Sequence, residues 1–508
     1  MNMLIGYGTV VVFFILIVVV LELTHKKSRG DFTDYAVAGR SFGSWFQAMA
    51  FLNTWLPGTV FIAFAGMAAS SGVIGFYLVS YSLLAILFMF FMAEKVFEWG
   101  KKFNLRTQAD FVGMRYNSKT VQVVSAAIGV LSVFPWLVLG FQSLGLVFSY
   151  LSFGVISPVA AVFVGIVVLG VRQIWTVRMG MRGIVISDMV QGIFAYGGGF
   201  CIAVGLIVWL IANGFGLQAL PENFAELPGL NSNLGPLYFF SIVLTGALGA
   251  WCWPDIFVRL FTAKSTKTVK NSAVKAAPIM FFFGTALLLM SMLANSVPGV
   301  AEAPDNVWFI MSAKGGAFLV ALAGVAVLAA TMGNVNAITA AIGTHTAQDI
   351  IHIKGASDEV TTKTAKKVIV VATLLAIVGG ILTANVTAGL VTLALMSYQG
   401  IVQLAPPLYL GLFWRKGNAA GAVAGMIIGF IVAVVFQIIY PISVSWLWGL
   451  TSGMVGLIVN TLVYVAFAYL MPISEDERKR INGLFDELQE ETSFAEPAFA
   501  TTSKPTNG

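Results

Sequence analysis

Asp188 lies in an otherwise apolar run, Ile186-Ser187-Asp188-Met189-Val190-Gln191. A carboxyl at membrane depth is costly and is a functional-site candidate; the alternative is a residue at the cytoplasmic end that snorkels to water, Arg182 being six residues earlier. Two Pro/Gly interruptions of apolar runs offer a second kind of chemistry. The first is Asn53-Thr54-Trp55-Leu56-Pro57-Gly58; the second is Gly246-Ala247-Leu248-Gly249-Ala250 followed by Trp251-Cys252-Trp253-Pro254-Asp255. Proline removes a backbone donor and glycine frees φ, so a helix stops there and leaves backbone groups to hold a ligand. A polar stripe of Thr331, Gly333, Asn334, Asn336 and Thr339 offers close backbone approach plus oxygens for a desolvated cation, or for hydrogen bonds between helices. His345 and Asp349 end the same run. Solvation at a wet boundary is the expectation for His345, with a proton relay as the alternative. Asp255 and Arg259, four apart, are expected to form a structural i,i+4 pair.

Enzyme chemistry finds no support: HExxH, GxSxG and P-loop motifs are absent, and a single buried Asp without a paired base is no catalytic site. Cys201 and Cys252 have neither zinc nor redox spacing and read as small packing residues. No metal site is expected beyond a Na⁺ site, and no cofactor.

The elements that must position these residues follow from composition. The 508-residue chain is 58% hydrophobic and 10% charged, with a mean hydropathy of +0.88. A soluble domain carries about 25% charged residues. Apolar runs of about twenty residues recur, without the alternation of a barrel strand. The fold class is therefore an all-α membrane protein of about thirteen transmembrane helices. Spans are expected at 4–23, 44–70, 73–97, 121–150, 155–171, 183–213, 235–262, 272–296, 316–348, 366–384, 388–413, 418–440 and 446–471. The first is a retained helix, because its basic cluster, His25-Lys26-Lys27-Ser28-Arg29, follows the apolar run. With the N-terminus outside, all but one of the 29 Lys and Arg fall in cytoplasmic loops or the tail, Lys314 being the exception. The net charge of +6 is thus loop charge and not a nucleic-acid surface. Residues 1–474 form the transporter domain, and 475–508 a cytoplasmic tail, helical at first and then disordered. Segment 214–234 is an acidic external connection. The two interrupted helices sit five spans apart, which suits a five-plus-five inverted repeat, about 44–213 against 235–413.

Four segments resemble the sodium:solute symporter family. They are Asp34-Tyr35-Ala36-Val37-Ala38-Gly39-Arg40-Ser41, Ser187-Asp188-Met189-Val190-Gln191, Trp253-Pro254-Asp255-Ile256-Phe257-Val258-Arg259 and Gly411-Leu412-Phe413-Trp414-Arg415-Lys416-Gly417-Asn418-Ala419-Ala420-Gly421-Ala422. The similarity covers residues 1–475 and implies a leucine-transporter-type fold. It implies a cation site built from Asn53, Leu56, Asp188, Gly333 and Asn334, with backbone carbonyls flanking Pro57. It also implies a substrate site that includes Trp253; with it we group Thr54, Trp55, Pro57, Gly58 and Gln142. Gly333 and Asn334 stand where the family carries paired Ser/Thr hydroxyls, and Thr54 where several relatives carry Asp.

The expected function is secondary active uptake of a small organic solute in the bacterial inner (plasma) membrane, with the C-terminus cytoplasmic and no obligate protein partner. Na⁺ is the coupling ion the family implies. The alternatives are H⁺ coupling through Asp188 and a transporter-like solute sensor. Phe61-Ile62-Ala63-Phe64-Ala65-Gly66 and the Trp-Pro pair resemble the monocarboxylate-permease branch; amino acids are the next substrate class.

Overall fold

In a bilayer every backbone N–H and C=O needs an internal partner, so apolar sequence of this length is driven into helices. The structure, a computed structural model, describes residues 1–25, 32–351, 357–383 and 397–495. Among these residues the only β features are two isolated bridges, Phe42 with Ala263 and Val444 with Leu450. The principal helices are α1 (Asn2–His25), α2 (Ser44–Trp55), α3 (Ala63–Ser71), α4 (Tyr77–Lys102), α5 (Gln108–Arg115), α6 (Lys119–Leu151), α7 (Pro158–Gly192) and α8 (Gly199–Ala212). They continue with α9 (Tyr238–Gly249), α10 (Pro254–Thr262), α11 (Thr266–Leu293), α12 (Gly316–His345), α13 (Asp358–Thr383), α14 (Ala419–Ile439), α15 (Ser452–Leu470) and α16 (Glu475–Ala495).

Among the described residues, nine helical runs are long and apolar enough to cross a membrane, ten if the bent pair Tyr238–Cys252 and Pro254–Thr262 is one span. Two runs are far longer than the ~20 residues of one crossing: Gly58–Lys102 has 45 residues and Ala160–Ala212 has 53. The expected connection at 172–182 narrows to a single break within it. Arg172 to Met179 holds no Pro or Gly, so the helix continues until Gly180, whose φ of 56° and ψ of −141° break it. Lys26, Lys27, Arg29, Lys354, the start of the expected span 388–413 and the tail beyond 495 lie outside the described residues.

Burial separates inner from outer helices. The most apolar window of the run containing α12 is 72% buried, against 28% for α1 and 33% for α14. Ala and Gly dominate α12, letting α2, α6, α7, α10 and α13 pack closely around it. Large side chains such as Leu4, Val12, Val208, Leu382 and Leu462 project outward from the bundle, as a lipid-facing surface requires. The charged helix α16 folds back on the bundle: Trp99 Nε1 donates to the Leu484 carbonyl at 3.1 Å, and Arg480 donates to the carbonyls of Met114 and Arg115.

Candidate functional site

The first interruption falls where Pro57 forces it. Proline has no N–H and disfavours helical φ/ψ in the residue before it. Accordingly α2 ends at Trp55, Leu56 takes φ −112° and ψ 76°, and Pro57 is extended at φ −65° and ψ 169°. One short turn, Gly58–Phe61, leads to α3. The second interruption follows the same logic at Pro254. Trp253 is extended at φ −69° and ψ 125°, and the two halves bend by 53°.

The two interruptions line one cavity of about 30 Å³. Its walls are Thr54, Trp55, Pro57, Val133, Trp136, Trp253, Asp255, Ile256, Asn334, Ile338 and Tyr398. Of the expected substrate set, Thr54, Trp55, Pro57 and Trp253 line it. Gly58 is packed instead against Thr331 and Val327, and Gln142 is buried in α6 without lining the cavity.

Behind the cavity wall lies a buried polar network holding the expected cation set. Asp188 is fully buried, its Oδ2 3.2 Å from Arg259 Nη2 and its Oδ1 accepting from Asn53 Nδ2 at 3.0 Å. Asn53 Nδ2 also donates to Gln191 Oε1, and Asn53 Oδ1 accepts from the Tyr196 hydroxyl. The same hydroxyl lies 2.9 Å from the carbonyls of both Leu52 and Leu56. Arg259 Nη2 donates to Thr54 Oγ1 at 2.6 Å, tying the network to the cavity wall. Asn334 Nδ2 donates to the Thr54 carbonyl at 3.0 Å. Gly333 has a packing reason: a Cβ there would run into the Asn53 side-chain amide. Asn53, Leu56, Asp188, Gly333 and Asn334 are thus neighbours through direct contact or one shared partner.

Two expectations are corrected. Among the described residues Arg259 pairs with Asp188 across the bundle, not with Asp255 on its own helix. Asp255 sits at the first turn of α10, where the Trp253-Pro254 break turns it toward the cavity. His345 is 1% exposed and not at a wet boundary. Its Nδ1 lies 3.2 Å from Asp349 Oδ2, while Gln122 Nε2 bridges Asp349 Oδ1 and Asp110 Oδ1 at 2.7 Å each. Burial, and then the nearby charge of Asp349, push the Asp110 carboxyl up to about 7.

Sequence reasoning missed Trp136, Tyr398 and Tyr196. An aromatic residue in an apolar run carries no signal of which face it presents; Pro135, just before Trp136, was the one local mark.

The family model "Sodium:solute symporter family" matches residues 35–429. The chain is 25% identical over 306 residues to the uncharacterized symporter YhjB of Bacillus subtilis, spanning 58% of this chain and 60% of that protein. It is 26% identical over 454 residues to the monocarboxylic acid transporter of Corynebacterium glutamicum, covering 82% and 80% of the two chains. Among solved structures it resembles a Na⁺-coupled sialic acid symporter, at a TM-score of 0.74 and 17% identity, over 93% of this chain and 99% of that one. With a family model covering most of its length and a matching fold, this chain belongs to the sodium:solute symporter family.

Proposed function

We propose that the protein is a secondary active symporter that takes up a small organic solute together with a cation. The observation carrying this reading is the convergence of two broken helices on one cavity, with a buried ion pair wired to its wall through Thr54. Broken helices around a central site are how transporters of this kind bind solute and ion before exposing them to the other side. Thr54, Trp55, Pro57 and Trp253 contact the solute, with Asp188 on the ion route. Thirteen spans, an inverted repeat of 44–213 against 235–413, an outside N-terminus and a cytoplasmic C-terminus belong to the same reading. The 45- and 53-residue runs support the count, each having the length of two crossings.

Na⁺ is the co-substrate that family membership favours. The second reading, H⁺ coupling, is favoured by one observation. Carbonyl and carboxylate oxygens suited to a cation already face donors: Thr54 O faces Asn334 Nδ2, Leu56 O faces the Tyr196 hydroxyl, and Asp188 faces Asn53 and Arg259. Gly333 adds no side-chain oxygen. A proton on Asp188 needs no such oxygens.

Uptake by proteoliposomes separates the two, with Na⁺ and H⁺ gradients imposed one at a time on wild type and Asp188→Asn. Na⁺-driven uptake that survives in Asp188→Asn at reduced Na⁺ affinity supports the first reading. H⁺-driven uptake abolished in Asp188→Asn supports the second. Because removing one partner of a buried pair costs about 3–5 kcal/mol, the variant's fold is checked by size exclusion.

A further inference from the structure

The central cavity contains a carboxyl group, Asp255, that the protein answers only in part: backbone N–H groups of Asp255 and Ile256 at the start of α10 bond it, and Arg259 one turn on adds a favourable charge. Asp255 is 3% exposed, and its Oδ1 has no hydrogen-bond partner. No Lys, Arg or His lines the cavity. The nearest cation along α10, Arg259, is committed to Asp188 and Thr54. A buried carboxylate oxygen without a hydrogen-bond partner is expensive, so Oδ1 is placed to receive a positive group from outside the protein.

Three aromatic rings stand on the same cavity. Trp136, Trp253 and Tyr398 lie with ring centroids 5.3, 5.9 and 6.2 Å apart and interplanar angles of 88° or 89° in every pair. Perpendicular rings beside a carboxylate are an established chemistry for organic ammonium groups, since the ring quadrupole attracts the cation and the carboxylate neutralises it. Trp136 Nε1 is a second unanswered group, a buried donor with no acceptor.

We propose that the transported solute carries an organic ammonium group, held by Asp255 among Trp136, Trp253 and Tyr398, and an oxygen acceptor that reaches Trp136 Nε1. This rests on the symporter reading and narrows it. A zwitterionic amino acid or an amino alcohol has both features. A bare monocarboxylate would bring its charge against Asp255 with no cation to meet it, and so is selected against.

The test uses the purified full-length protein and solute pairs that differ in the cationic nitrogen. L-Proline is compared with tetrahydrofuran-2-carboxylate, and choline with 3,3-dimethylbutan-1-ol, by quenching of tryptophan fluorescence. The expected result is that at least one ammonium solute binds about ten- to a hundredfold more tightly than its isostere. Asp255→Asn erases that preference and Asp255→Glu keeps part of it. Which pair responds distinguishes the zwitterion from the amine. The isostere comparison on wild type needs no variant, so a misfolded Asp255→Asn leaves the test intact. Equal binding of an isostere and its ammonium partner, binding of the carboxylate alone, or binding of none of the four overturns the proposal. Gradient-driven accumulation of acetate or pyruvate that survives Asp255→Asn would overturn it too while leaving symport standing. Ammonium binding without transport would support the site and count against the symporter reading.

Discussion

At Gly333 an added methyl group would enter the space of the Asn53 side-chain amide, the group that donates to Asp188. Overpacking of this kind costs about 1–3 kcal/mol. Gly333→Ala should therefore lower the melting temperature and also slow transport, because it displaces Asn53 from Asp188. Gly197→Ala, where an added methyl meets nothing within 4 Å, should leave both unchanged and serves as the control in a thermal-shift and uptake comparison. Equal behaviour of the two variants would contradict the packing argument. Asp188 was legible in the sequence because a carboxyl in an apolar run is conspicuous on its own. Asp255 was not read correctly: its spacing to Arg259 suggested a local pair, and only the bend at Trp253-Pro254 separates them. Which carboxylate meets which guanidinium is a property of tertiary packing, and helical spacing does not contain it.

At the scale of the element, the helix α5 seals the end of α12. Asp110 on α5 shares the amide of Gln122 with Asp349, beside His345. Burial first, and the charge of Asp349 second, raise the Asp110 carboxyl from 3.8 to about 7. The folded protein thus keeps a proton that the unfolded chain releases near pH 4. Between these values the folded state binds more protons, so this contribution to stability is full below about pH 4 and falls as pH rises toward 7, by at most about 1.4 kcal/mol per pH unit. Thermal unfolding followed from pH 5 to pH 8 should show a steeper decline in wild type than in Asp110→Asn. Identical slopes would mean that the cluster does not titrate. The interruptions of α2 and between α9 and α10 were legible because Pro57 and Pro254 cannot continue a helix. The burial of His345 was not, since the contacts that bring Asp110, Gln122 and Asp349 together join residues far apart in the chain.

At the scale of the whole molecule, the fold follows from a requirement that sequence composition already announces: a chain with 10% charged residues must satisfy its backbone internally and present apolar side chains outward. That much, and membership of the symporter family, could be read from the residues. The shortness of the connections between adjacent spans, reduced to a break at Gly180 and a turn at Gly72, could not, because bilayer thickness sets a span's length while only local Gly and Pro chemistry sets where a helix stops. On the proposed reading, the cavity and the Asp188–Arg259 network behind it couple solute movement to an ion gradient. The most direct test is accumulation of labelled solute by proteoliposomes containing only this protein, measured with a cation gradient imposed and again after an ionophore collapses it. The internal concentration is expected to rise above the external one and return to equality when the gradient is lost. Equilibration to the same level with and without the gradient would contradict it, leaving a protein that passes solute without coupling.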